Sequence, residues 1–306
     1  MYTITQIEHE NPQLNQVIIK NAALNLHSII YPNLGASLQK LTINNTEIID
    51  GISNNEAGLE MYKTRYNSSL LFPFPNRISD GKYEINGTSY QINCNEKALN
   101  NALHGFVFNK YFSVTKINST STEASITFSY SDTKKTAYPF DYQLDVTYIF
   151  SENKLNIGFI VTNKSTKTMP FGIGWHPYFK AKNLHKSILN FEAENQFALN
   201  EKMIPLHEVP LKINTPTEMD AIFLDDCFVT QKSETTFKTD AYSIEMKFSS
   251  KPPNSFLQVY TPPTRDCIAI EPMTCAPNSF NNKKGLLLLE PEKNYVWTVE
   301  MDYVIL

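Results

Sequence analysis

Apolar residues recur at every second position in many stretches of this chain, the period of strands with one buried face. Leu144, Val146, Tyr148 and Phe150 alternate with polar neighbours. Ser151-Glu152-Asn153-Lys154 then supplies a turn, and Leu155, Ile157, Phe159 and Val161 resume the alternation. The spacing predicts a hairpin with a common buried face. Ala124, Ile126, Phe128 and Tyr130 repeat the pattern, as do Ile244, Met246 and Phe248. Near the C-terminus Tyr295, Trp297, Val299, Met301 and Tyr303 alternate with Val296, Thr298, Glu300 and Asp302. No 3.6-residue period is sustained, so helix is expected only as short turns, for instance over Glu96 to Asn101. No Gly/Ser-rich linker, shift of composition or internal repeat divides the chain. The expectation is all-β: a large antiparallel β-sandwich formed by residues 1–306 as a single domain.

Composition narrows the function. A hydrophobic fraction of 42% in 306 residues is ample for a large core. The net charge of -4, without blocks of one sign, excludes the concentrated basic face that nucleic acid demands. The four cysteines form no CxxC pair and read as reduced thiols. The first residues lack a basic segment followed by an apolar one, and no apolar run approaches the ~20 residues of a membrane helix. A cytoplasmic protein acting on neither nucleic acid nor membrane is expected. Of the 27 basic residues only Arg65, Arg77 and Arg265 are arginines. A chain that defaults to lysine uses arginine where a planar, forked donor is wanted.

The candidate chemistry lies in a few short segments. Gly174-Trp175-His176-Pro177-Tyr178-Phe179 sets a histidine, titratable near neutrality, in an aromatic wall of the kind that receives the C–H face of a sugar. Pro73-Phe74-Pro75-Asn76-Arg77-Ile78 places Asn76 and Arg77 after a rigid apolar approach. Leu103-His104-Gly105-Phe106 puts a histidine beside a glycine, which permits close backbone approach. Leu224-Asp225-Asp226-Cys227-Phe228 carries paired acids into a strand. Gln258-Val259-Tyr260 leads through a Pro-rich turn to Ile268-Ala269-Ile270-Glu271-Pro272. A carboxylate such as Glu271 at an apolar strand end has its pKa raised by desolvation, which suits a general base. Singly, each has a plain structural explanation: a core histidine, an ion-paired arginine, a turn-capping aspartate, a strand-edge glutamine.

Together, and in this order from Pro73 to the C-terminus, the segments Asn-Arg-Ile, Leu-His-Gly, Trp-His-Pro-Tyr-Phe, Asp-Asp-x-Phe and Ile-Glu-Pro resemble those of the aldose 1-epimerases, or galactose mutarotases. The resemblance implies a large β-sandwich fold, Glu271 as general base, His176 as general acid and His104 as a partner near the sugar ring oxygen. It also implies that Asn76, Arg77, Tyr178, Asp225 and Gln258 hold the hydroxyls of a monosaccharide. Asp225 and Asp226 compete for one position, and spacing to Phe228 favours Asp225. The twelve residues between Gln258 and Glu271 are fewer than in longer members of the family, so a loop at the edge of the site is missing. Anomer interconversion needs one acid and one base, and no metal, nucleotide or redox cofactor.

Three rival readings carry different expectations. A zinc hydrolase would use His104, His176 and Glu271 as ligands, but the chain has no HExxH spacing. A carbohydrate-binding module without catalysis would have no need of Glu271 and His176. A sugar-phosphate epimerase would need cations beyond Arg77, for which Arg65 and Arg265 are the candidates.

Overall fold

A computed structural model describes residues 1–249 and 255–306. The expected hairpin is present: Tyr142–Phe150 pairs with Lys154–Asn163, and Ser151 N–H donates to Lys154 C=O at 2.9 Å across the turn. Register sets Leu144 opposite Val161, Val146 opposite Phe159, Tyr148 opposite Ile157 and Phe150 opposite Leu155. All eight side chains are buried, so the period-two pattern and the pairing agree. Lys154–Asn163 pairs in turn with the last strand, Asn294–Ile305, where Phe159 and Trp297 stand opposite with ring centroids 5.0 Å apart. Each such aromatic contributes about 1.5–3 kcal/mol by leaving water.

Following the pairings outward gives a circuit. From Asn294–Ile305 the sheet passes through Tyr242–Phe248, Asp225–Lys238, Phe256–Tyr260 and Cys267–Met273. It continues through Tyr178–Lys180, Thr46–Asp50, Ser37–Ile43, Leu26–Tyr31 and Gln16–Asn21 to Tyr2–Ile7. On the other side Tyr142–Phe150 leads to Ala124–Asp132 and Ser113–Ser119. The two ends meet where Tyr2 N–H donates to Thr120 C=O at 3.1 Å. Every pairing of these strands is antiparallel, and the folded-over sheet encloses a core whose buried residues run from Tyr2 to Tyr303. The molecule is a large antiparallel β-sandwich, as the alternation predicts.

Two expectations about helix are corrected. Glu96 to Asn101 is no helical turn; its ends form an antiparallel bridge, with Glu96 N–H on Asn101 C=O at 3.1 Å and the reverse bond at 3.2 Å. A helix of ten residues lies instead at Glu56–Arg65. It is started by Asn55, whose Oδ1 accepts from Gly58 N–H at 3.0 Å, and ended by Tyr66 in the left-handed conformation. It buries only Gly58, Leu59 and Tyr62, too narrow a stripe to register as a period.

Candidate active site

Cys267–Met273 is the most enclosed segment of the site, with all seven residues buried. Side chains alternate across it: Ile268 and Ile270 join the main core with Leu257 and Val259 of the neighbouring strand. Ala269 and Glu271 therefore face the other way, opposite Tyr260 and Gln258. On the far side of Phe256–Tyr260, Asp225 is in register with Tyr260 and Cys227 with Gln258. On the near side Tyr178 is in register with Ala269. Simple strand parity thus gathers Glu271, Gln258, Asp225 and Tyr178 on one face.

The same parity corrects the picture of an aromatic wall. Trp175 and Phe179 are fully buried in the core, with ring centroids 6.5 Å apart. Only His176 and Tyr178 of that run turn to the cavity, their rings stacked at 5.1 Å and 22°.

Two further groups come from loops. Asn76 and His104 both have positive φ, 55° and 63°, and are tied together by His104 N–H donating to Asn76 C=O at 2.9 Å. Gly105 follows with φ 73°, and a Cβ there would sit 2.1 Å from Phe72 C=O. The glycine beside the histidine serves the close backbone approach expected of it.

All eight residues expected at the site, Asn76, Arg77, His104, His176, Tyr178, Asp225, Gln258 and Glu271, line one cavity of about 230 Å³. Asn76 Nδ2 donates to Gln258 Oε1 at 3.2 Å, and Gln258 Nε2 to Asp225 Oδ1 at 2.8 Å. These bonds form a polar rail along the floor. Asp226 points elsewhere, accepting from Gln196 Nε2 at 3.0 Å. His176 Nε2 stands 3.3 Å from Glu271 Oε1, and the edge of the His104 ring meets the His176 ring at 5.1 Å. Glu271 Oε2, His176 Nδ1 and His104 Nδ1 are buried without a partner. Uncompensated polar atoms in a cavity are where a ligand's hydroxyls gain most.

Burial sets the electrostatics. It raises Glu271 well above the usual carboxylate range, and the Asp225 charge adds to this while Arg77 opposes it. It pushes His176 down to about 3, with the Arg65 cation acting in the same direction. His104 is lowered well below the ordinary imidazole value by burial and by the charges of His176 and Arg77. Asp225 is raised by burial, with Asp226 and Glu96 adding to the effect and Arg77 opposing it. A carboxyl raised this way is a stronger base once ionised, and an imidazolium lowered this way is a stronger acid.

Sequence reasoning missed several neighbours. Thr64 and Tyr66 reach the cavity from the end of the Glu56–Arg65 helix, and Glu96 and Tyr260 line it too. Arg65 lies over the Tyr178 ring, 4.6 Å from its centroid, and donates to Asp50 at 3.2 Å and Cys267 Sγ at 3.0 Å. Its one signal was the scarcity of arginine. Arg265 is outside the cavity, donating to the carbonyls of Met219, Asp220 and Ile222. Among the described residues no three His, Cys, Asp or Glu side chains converge as metal ligands, and no helix is long and apolar enough to cross a membrane.

Comparison with known proteins places the chain. The Escherichia coli protein YihR, uncharacterised itself, is 28% identical over 284 residues, 89% of this chain and 88% of its own. Human galactose mutarotase is 23% identical over 171 residues, 54% of this chain and 47% of its own. A galactose mutarotase-like protein from Clostridium acetobutylicum shares the fold with a TM-score of 0.86 at 18% identity, over 100% of this chain and 99% of that one. Galactose 1-epimerase from Lactobacillus acidophilus shares it with a TM-score of 0.80 at 15% identity, over 100% and 99%. The family model for aldose 1-epimerase matches residues 16–302, and this chain belongs to the aldose 1-epimerase family.

Proposed function

We propose that this protein interconverts the α and β anomers of a free, uncharged aldose of the glucose or galactose type, with Glu271 as general base and His176 as general acid. One observation carries the reading: an acid–base pair 3.3 Å apart, buried at the floor of a cavity of monosaccharide size. In a pyranose the anomeric hydroxyl and the ring oxygen are bonded to the same carbon. Groups that exchange protons with both must therefore be neighbours.

In the forward step the Glu271 carboxylate takes the proton from the C1 hydroxyl. The His176 imidazolium gives its proton to O5 as the C1–O5 bond breaks, leaving an open-chain aldehyde and a C5 hydroxyl. Rotation about C1–C2 presents the other face of the aldehyde. The C5 hydroxyl then returns its proton to His176 as it attacks C1, and Glu271 reprotonates O1. Acid and base end as they began, and no external reductant, oxidant or cofactor enters the balance. His104, edge-on to His176, sits beside the ring oxygen in this arrangement, and the Asn76–Gln258–Asp225 rail with Arg77 and Tyr178 receives the remaining hydroxyls.

The opposed pKa shifts, both set first by burial, fit such a pair. Neutral Glu271 with neutral His176 holds the same proton count as carboxylate with imidazolium. The resting and reactive forms therefore interconvert by a proton shift within the pair, without exchange with solvent.

The cavity's charge favours an uncharged substrate over a sugar phosphate. Two carboxylates, Glu96 and Asp225, face it beside the neutral Glu271 carboxyl, and both guanidinium groups are already engaged, Arg65 with Asp50 and Arg77 with Glu96. Arg265, the other cation a phosphate would call on, holds backbone carbonyls outside the cavity. Polarimetry of freshly dissolved α-D-glucose and α-D-galactose tests the reading. Rotation should relax faster with protein than in buffer, and a rate no faster than in buffer for either sugar overturns it.

A further inference from the structure

Arg77 does not enter the cavity as a free cation. Its Nε lies 3.1 and 3.0 Å from Glu96 Oε1 and Oε2, and its Nη2 lies 2.9 Å from Oε1. This is a two-pronged pair between side chains only 13% and 17% exposed. Glu96 is itself fixed. Asn101 Nδ2 donates to its Oε2 at 2.8 Å, and the paired backbones of the two residues hold the turn that carries it. Asn101 Nδ2 also bonds Lys202 C=O at 2.9 Å, tying the turn to a distant loop. Of the guanidinium, Nη1 and the second hydrogen of Nη2 keep donor capacity, with one approach of 3.5 Å from Nη1 to Asn76 Oδ1. The arginine therefore presents a directed hydrogen-bond donor whose charge is cancelled behind it.

Hydroxyl recognition needs the donor and not the charge, and a carboxylate or phosphate would be drawn by the charge. An arginine with no acid behind it would attract anionic sugars into this cavity. We propose that Glu96 is a specificity-determining residue, which holds the fork of Arg77 and offsets its charge so that the site accepts uncharged aldoses and disfavours sugars bearing an anionic group. The proposal rests on the aldose 1-epimerase reading given above for the same cavity. Glu96 acts through Arg77 and is a positioning residue rather than a participant in proton transfer.

The test compares matched pairs, D-glucose with D-glucuronate and D-galactose with D-galacturonate, in wild type, Glu96→Gln, Arg77→Gln and the double variant. Turnover is followed by polarimetry and binding by isothermal titration calorimetry at low and at 0.5 M salt. Glu96→Gln should raise the uronate-to-neutral ratio of kcat/KM and of affinity by on the order of tenfold, because an unpaired charge a few ångströms away is worth that much even at the higher effective dielectric of a protein site. The gain should shrink in salt. Arg77→Gln leaves Glu96 uncompensated and should move the ratio the opposite way. The double variant should return it towards wild type. Either single variant that folds gives the sign. A ratio unchanged in a folded single variant, with both sugars weakened alike, overturns the proposal and makes Glu96 merely structural. Absence of any aldose turnover in wild type counts against the proposed activity instead, and the binding ratios then judge Glu96 on their own.

Discussion

Arg65 covers one face of the Tyr178 ring, with its guanidinium carbon 4.6 Å from the ring centroid. Because Tyr178 also stacks on His176, the cation sits two layers from the proposed acid and lowers its proton affinity. A partly exposed contact of this kind is worth about 1 kcal/mol. Arg65→Ala should therefore lower kcat/KM for a free aldose by only a few-fold. The acidic limb of the pH profile should move to higher pH, since His176 regains proton affinity. An unmoved limb separates Arg65 from the titration of His176.

Loss of either member of the acid–base pair should be far more severe. Glu271→Gln and His176→Asn are each expected to reduce kcat by about 10²–10⁴-fold while the fold survives. Circular dichroism and thermal melting establish folding, and polarimetry measures the rate. A folded Glu271→Gln protein retaining more than about a tenth of the activity removes Glu271 from its role.

The pH profile of kcat/KM should be bell-shaped, with limbs belonging to the coupled pair. Glu271 is raised and His176 depressed, so the last proton lost on going alkaline leaves Glu271, and the proton gained in acid goes to His176. The Asp225 charge helps to raise Glu271. Asp225→Asn should thus shift the alkaline limb to lower pH, beyond any loss of sugar binding. A limb that stays in place assigns the alkaline titration to another group.

Burial of Glu271 has a matching effect on stability. A carboxyl whose folded-state pKa is raised stabilises the fold below the unfolded value near 4.5, and that contribution is lost as pH rises through the folded value. Glu271→Gln removes the ionisation. Its melting temperature should exceed that of wild type increasingly towards alkaline pH, with the difference vanishing in acid. Parallel melting curves across the range would show that Glu271 stays neutral throughout it or reaches water on ionising.

Gly105→Ala should destabilise by about 2–4 kcal/mol, through left-handed backbone strain and a steric clash. Its Cβ has no room beside Phe72 C=O. The loop carrying His104 is displaced in consequence, so activity per folded molecule should fall as well. Denaturant unfolding together with polarimetry checks both.

The strands were legible because each period-two run needs only its own residues to declare a buried face. Register then followed, as Val146 opposite Phe159 shows. The helix Glu56–Arg65 was not, because the only large apolar side chains it buries are Leu59 and Tyr62. The Glu96–Asn101 turn contains good helix formers, yet hydrogen bonds across its ends override them. At the candidate site, residues in marked local contexts could be found, such as His104 before a glycine and Glu271 before a proline. Glu96, Tyr66 and Tyr260 could not. Their place depends on contacts such as that of Glu96 with Arg77, nineteen positions away, and nothing in the local sequence announces it.

The meeting of Tyr2 with Thr120 has a consequence for how this protein behaves in a crowded solution. A sheet of this size ending in two bare rims would offer unpaired amides and carbonyls to any passing chain. Here Tyr2–Ile7 and Ser113–Ser119 come together at one end, and Ser119 Oγ donates to Tyr2 C=O at 2.6 Å to hold the seam. Loosening the first strand would therefore expose two templates at once. Substitutions in the six residues Tyr2–Ile7, none of which lines the candidate cavity, should therefore be able to cost solubility while sparing turnover.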